Sequence, residues 1–173
     1  MKKIIFAFLL VMLPSLIFAQ KEFDKFDGED NVTAVVVNKK MFELMANIEM
    51  DSSDKEIQQY LNLIKKLNNL KVFSTRDAAL VKDMKSTVNA YLKKYPLEEL
   101  MRVTEGSKSI KIYVKTGAKS SQVLELLMFI EGGTDDTVLM SLTGNFDLSE
   151  ISVLTDKMNL PGGAQLKKAS KKG

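Results

Sequence analysis

The fold is decided by residues 110–142, IKIYVKTGAKSSQVLELLMFIEGGTDDTVLMSL. In residues 110–115 apolar side chains alternate with polar ones, and alternation at period two is typical of a strand with one buried face. The same period recurs in residues 124–130 and 138–142, and glycine-containing turn sequences separate the three runs. With residues 97–104 in front, the stretch predicts a four-stranded antiparallel meander in the C-terminal half of the chain.

Upstream of the meander, the sequence predicts two more strands and three amphipathic helices. Residues 32–37 and 70–73 are short apolar runs suited to buried strands. Capping residues signal the three helix starts, namely Asn38, Ser53 with Glu56, and Ser74 with Asp77. We therefore predict an α+β fold with the amphipathic helices packed on one face of the sheet. In the first helix, Met41 and Met45 share an apolar side, and we expect them to pack in the core rather than to bind Cu(I).

The polar side chains of the meander define the predicted binding surface. If helices cover the apolar face, the opposite face is an exposed polar sheet, and partner proteins often bind such surfaces. Its predicted binding residues are Lys111, Tyr113, Lys115, Ser141 and Thr143. The alternative stays open, because any sheet that is covered on one side leaves a face in water without needing it for function.

Residues 141–151, SLTGNFDLSEI, predict the transition from the last strand to a helix. Gly144 is expected to end the strand, and Asp147 precedes Glu150 by three residues. At this spacing each side chain can accept a hydrogen bond from a free backbone amide at the helix start. The stretch lacks the Gly-Lys-Ser/Thr ending of a phosphate-binding loop.

The N-terminus has the pattern of a secretory signal peptide, residues 1–19. Lys2 and Lys3 precede a short apolar run, and small Ala19 stands at the expected cleavage position. We expect a periplasmic or secreted protein with no transmembrane anchor after cleavage. Residues 20–31 are predicted to be an acidic linker, 32–160 a single α+β domain and 161–173 a basic tail.

The chain contains neither cysteine nor histidine, which excludes several kinds of site. Catalytic triads with histidine, cysteine nucleophiles, and zinc sites with histidine or thiolate ligands are impossible. The sequence predicts no catalytic residue, metal or cofactor. A pair of carboxylates can still support hydrolysis, so a carboxylate-dependent hydrolase acting on envelope material remains the alternative function.

The charge pattern excludes nucleic acid as a predicted partner. The net charge is +3, and it falls to +1 without Lys2 and Lys3. No basic stripe of the kind that binds nucleic acid is present. The basic tail carries four lysines that could make weak contacts with an anionic surface, namely Lys167, Lys168, Lys171 and Lys172.

Three stretches of the chain together resemble a known family. They are VTAVVVNKKMFELM at 32–45, LKVFSTRD at 70–77 and FIEGGTDDTVLMSLTGNFDLSEISVLTDKMNLPG at 129–162. The family is domain of unknown function 4252, exported proteins found chiefly in Bacteroidetes-type bacteria.

The resemblance implies export and a single domain, and it carries over no catalytic residue, because the family has no established activity. Many members resemble lipoproteins, whereas this chain lacks the cysteine that would be acylated. Family genes often neighbour those of extracytoplasmic sigma factors, which implies envelope sensing. We expect an exported, non-enzymatic envelope protein that binds a protein partner or a ligand.

Overall fold

The computed structural model describes residues 19–47, 54–132 and 136–151, which contain six strands and three α-helices. The strands are β1 (Thr33–Asn38), β2 (Leu67–Thr75), β3 (Glu98–Glu105), β4 (Lys108–Thr116), β5 (Gln122–Glu131) and β6 (Thr137–Asp147). The helices are α1 (Lys39–Ala46), α2 (Lys55–Ile64) and α3 (Ala78–Lys94), and two short 3-10 helices cover Ala19–Phe26 and Leu148–Glu150.

All six strands form one antiparallel sheet in the order β1-β2-β6-β5-β4-β3. The predicted meander is present as β3 to β6. The expectation of a four-stranded sheet is nevertheless wrong, because β2 pairs with β6 and β1 pairs with β2. The two N-terminal strands therefore extend the meander beyond its last strand, and β1 and β3 form the two edges.

Helices cover both faces of the sheet, so the prediction that they pack on one face is wrong. On the first face, α1 and α2 bury Phe42, Leu63 and Ile64 against alternate residues of the strands. On the second face, α3 and the N-terminal 3-10 helix pack against β2, β5 and β6. The central strands are buried on both sides, and their nearly continuous apolar runs are typical of this arrangement.

The predicted acidic linker, residues 20–31, contributes to the core instead. The 3-10 helix Ala19–Phe26 carries Phe23 and Phe26, which are fully buried. Residues three apart lie on the same side of a 3-10 helix, so both rings point at the sheet. The Phe23 ring lies 4.7 Å from that of Tyr91 on α3, and the Phe26 ring lies 5.8 Å from that of Phe73 on β2.

Two of the four predicted helix starts are confirmed. The Asn38 side chain accepts a hydrogen bond from the Met41 amide, and Asp147 and Glu150 form the predicted capping box. α2 is capped by Asp54. α3 is capped by Asp77 rather than Ser74, because β2 continues to Thr75.

The prediction that Gly144 ends the last strand is wrong, because Gly144 lies within β6. A side chain at this position would place its Cβ 2.5 Å from the backbone oxygen of Lys66 and 3.0 Å from Leu67 Cα. The Asn145 amide donates to that same Lys66 oxygen at 2.9 Å. The missing side chain thus lets the chain entering β2 lie against β6, and the strand continues to Asp147.

Several predictions concern residues outside the described ranges. They are the signal peptide, Ser53, most of the turn between β5 and β6, the helix after Ile151 and the basic tail. Within the described ranges, no helix is long and apolar enough to cross a membrane.

Candidate functional site

The five predicted binding residues lie on the second face, on β4 and β6, with β5 between them. Tyr113 and Ser141 flank Leu127, while Lys115 and Thr143 flank Glu125. Ser141 is only 1% exposed, so the expectation that it lies on an open surface is wrong. The other four are partly buried, because α3 and the 3-10 helix cover the middle of this face.

Glu125, which the sequence analysis did not single out, is the buried charge at the centre of this polar row. It is 6% exposed, and the Tyr91 hydroxyl of α3 donates to its Oε1 at 2.5 Å. Burial raises the pKa of Glu125, while the Tyr91 hydrogen bond and the Lys115 charge oppose that rise. Burial and the neighbouring Glu125 also raise the pKa of Tyr91, so its hydroxyl remains a donor.

Two further polar contacts hold the covering elements in place, one to the sheet and one between the two covering elements. Lys71 of β2 is 6% exposed and donates to Asp24 of the N-terminal 3-10 helix. Lys94 of α3 donates to Glu22 of the same helix at 2.7 Å. Lys71 is a buried charge that has lost its water, so it needs such a partner. These contacts position helices, so we assign them a structural role.

An open groove of about 350 Å³ runs between the 3-10 helix and α3. It is the place to look for the carboxylate pair of a hydrolase, because Glu22 and Asp83 both line it. Each carboxylate is engaged by a lysine, Glu22 by Lys94 at 2.7 Å and Asp83 by Lys25 at 2.6 Å. Both carboxylates are thus occupied by cations that join the 3-10 helix to α3. Within the described ranges, no three acidic side chains come together to hold a metal.

The part of the second face beyond α3 carries a cluster that we call the hairpin patch, formed by Glu99, Arg102, Lys111 and Tyr113 on β3 and β4. The register places Arg102 opposite Lys111 and Glu99 opposite Tyr113. Arg102 binds both carboxylate oxygens of Glu99, through Nε at 3.0 Å and Nη2 at 2.6 Å. This contact lowers the pKa of Glu99, with smaller effects from a Tyr113 hydrogen bond and the Lys111 charge.

Arg102 remains available at the surface of this patch, because its side chain is 56% exposed. Partial burial is the main cause that raises the pKa of Tyr113, and the charge of Glu99 adds to it. The hairpin patch therefore holds a fixed guanidinium, a protonated phenol and a second cation on one surface. Such a set can donate hydrogen bonds to acidic or carbonyl groups of a partner.

The exposed large apolar side chains of the described residues lie elsewhere, on β1 and α1. Val35 and Val36 are 44% and 45% exposed, and Met41 and Leu44 are 50% and 55% exposed. The expectation that Met41 packs in the core is therefore wrong. Phe42 and Ala46 are the residues that α1 buries, and Met45 is partly buried against the same core.

The chain matches the family described as Domain of unknown function (DUF4252) over residues 26–154. It belongs to this family, as its three stretches of resemblance predicted. The matched range begins at Phe26, within the 3-10 helix, and ends just beyond the last described residue. No curated protein and no solved structure matches the chain.

Proposed function

We propose that this chain is an exported, non-enzymatic protein of the bacterial cell envelope that binds a protein partner through the hairpin patch. The observation that carries the proposal is the exposed Arg102, which two hydrogen bonds to Glu99 hold in place beside the partly buried Tyr113. The signal-peptide pattern of residues 1–19 supports export to the periplasm or beyond. A role in envelope sensing is consistent with the family resemblance.

The composition of the hairpin patch supports protein binding. Arginine and tyrosine dominate the binding energy of protein interfaces, because each combines a large contact area with directed hydrogen bonds. Arg102 is held by two hydrogen bonds to Glu99, so it loses little conformational freedom when a partner binds. Arg102 and Lys111 outnumber Glu99 in charge. We therefore expect the contacting surface of the partner to be acidic.

The hydrolase is the less supported alternative, because the acids of the groove between α3 and the 3-10 helix are ion-paired. Its test is turnover of envelope polysaccharide or peptide by the purified protein. Activity that disappears on Glu22→Gln and Asp83→Asn, with the fold intact, would replace the binding proposal.

The binding proposal is tested by cross-linking capture from native envelope extract, comparing the unmodified protein with Arg102→Ala and Tyr113→Ala. We expect one protein to be recovered in near-equal amount and each substitution to weaken its binding at least tenfold, since truncation of a central arginine or tyrosine costs about 2 kcal/mol or more and about 1.4 kcal/mol is tenfold. Arg76→Ala is the matched control, because Arg76 is also exposed and paired with one acid, Asp136. Undiminished capture by both variants would rule out the hairpin patch.

A further inference from the structure

The two edges of the sheet differ in how they resist pairing with another chain. β3 carries charges at Glu98, Glu99, Arg102 and Glu105, and an irregularity interrupts its register. Charges and bulges are the usual means by which an edge strand is kept from adding a further strand. β1, with the sequence TAVVVN, has no charge, no proline and a regular register with β2. It has no other strand neighbour among the described residues.

We propose that β1 pairs antiparallel with β1 of a second copy, about a two-fold axis through Val35, so that two six-stranded sheets become one. An antiparallel pair keeps each face continuous across the joint. Val35 lies opposite Val72 on the first face, whereas Val36 lies opposite Lys71 on the second. Residues that are directly opposite each other across the joint must therefore point to the same face. This requires the two-fold axis to pass through a residue pair, and with Val35 on the axis Ala34 of one copy lies opposite Val36 of the other.

Charges beyond the ends of β1 favour this occupant over an unrelated segment. Glu29 and Asp30 precede the strand, while Lys39 and Lys40 follow it. With Val35 on the axis, the turn before β1 of one copy, which carries Asp30, lies near the end of β1 of the other copy, where Lys40 stands in the first turn of α1. This brings the two opposite charges to the same end of the joint, twice per dimer. Among the described residues of its own chain, the ion pair of Lys40 is a distant contact with Glu43, at 3.9 Å. The uncharged strand and its oppositely charged ends are thus complementary to themselves.

The exposed apolar residues of α1 are accounted for by the same arrangement. The axis is perpendicular to the sheet, so the α1 helices of the two copies lie on the same face and next to the joint. Met41 and Leu44, three residues apart on the exposed side of α1, then become available for contacts across the axis. Half-exposed Val35 and Val36 are covered by their counterparts.

Disulfide trapping tests the register, and the chain is suited to it because it contains no cysteine. With Val35→Cys, two introduced thiols face each other across the axis, within the Cα separation of about 4.5 to 5.5 Å that a disulfide accepts. Val36→Cys is the matched control, since Val36 is equally exposed and faces Ala34 of the other copy. We expect mild oxidation to link most of the Val35→Cys protein and little of the Val36→Cys protein. Equal linking of both, or of neither, would overturn the proposed register.

Sedimentation of the purified chain tests the pairing itself. We expect a monomer–dimer equilibrium whose dissociation constant rises at least tenfold in Asp30→Lys and in Lys40→Asp, and returns toward the original value when the two are combined. The combined variant restores opposite charges across the joint only if the strands are antiparallel. A chain that stays monomeric at all concentrations, or a dimer that the exchange does not rescue, would refute the proposal. Both results are independent of the hairpin patch.

Discussion

At the scale of single residues, Glu125 links the stability of the fold to pH. Its carboxylate lies between β4 and β6 beneath α3, and burial raises its pKa in the folded chain. The unfolded chain, with a carboxyl pKa of about 4.3, therefore releases this proton first as the pH rises. The contribution of Glu125 to the free energy of unfolding is fully present below that value. It falls until the pH passes the folded pKa and is constant above it.

Glu125→Gln removes this ionisation and keeps an oxygen that can accept from Tyr91. We expect the free energy of unfolding of the variant, relative to the unmodified protein, to increase as the pH rises from about 4 and then to level off. The size of the increase measures how far folding raises the pKa of Glu125, at about 1.4 kcal/mol for each pKa unit. Urea denaturation between pH 4 and 8 measures it. The control is Glu98→Gln, the same substitution at an exposed position of β3, and the increase for Glu125→Gln is measured against it. A pH-independent difference for Glu125→Gln would contradict the assigned cause.

At the scale of elements, the N-terminal 3-10 helix has the polar, acidic composition of a linker but contributes two phenylalanine rings to the core. Phe26→Ala removes a fully buried ring that contacts Phe73, and we expect it to lower the free energy of unfolding by about 3 to 5 kcal/mol. Asp27→Ala, in the next and exposed position, should change it by less than about 0.5 kcal/mol. Denaturant titration compares the two. Equal stability of both variants would mean that the segment behaves as the linker its polar composition suggests.

Elements formed by neighbours in sequence could be predicted, and those formed by distant segments could not. The strands of the meander pair across short turns, so their period and turn residues carry the information. The pairing of β2 with β6 joins segments far apart in sequence, for which no local signal exists. The burial of β5 on both faces does have a signal in the sequence, because residues 126–130 are all apolar. Alternation at period two within this run does not distinguish a strand buried on one face from a strand buried on both. In α1, Met41 and Phe42 are both apolar, and spacing alone does not decide which of them faces the sheet.

The same distinction applies to the candidate site. Tyr113 and Lys111 were predicted, because alternation along one strand identifies them. Arg102 and Glu99 were missed, although the turn at Gly106 places Arg102 directly opposite Lys111 once the hairpin is paired. Glu125 was also missed, although it is a single acid in an apolar run. Its partner Tyr91 belongs to α3, and β3 and β4 separate that helix from Glu125 in the sequence, so no local pattern connects the two residues.

At the scale of the whole molecule, the two proposed surfaces lie at opposite edges of the sheet. A dimer joined at β1 carries a hairpin patch near each outer edge, and twelve strands at about 4.8 Å place the two edges about 50 Å apart. Neither patch is covered by the joint, so the dimer presents two equivalent binding surfaces in one assembly. Both can bind at once where partner molecules are densely arrayed.

Val35→Lys should make the protein monomeric, because two like charges would meet on the axis, while Val35 is exposed enough for the fold to tolerate lysine. We expect its affinity for the captured partner in dilute solution to be unchanged, since the hairpin patch lies at the other edge.

On a surface densely coated with that partner, dissociation of the Val35→Lys protein should be about a hundredfold faster than that of the dimer, which can rebind through its second patch. On a sparsely coated surface the two proteins should behave alike. Equal dissociation at every density would show that the dimer gains nothing from its second patch, and a weaker solution affinity would place β1 in the partner interface itself.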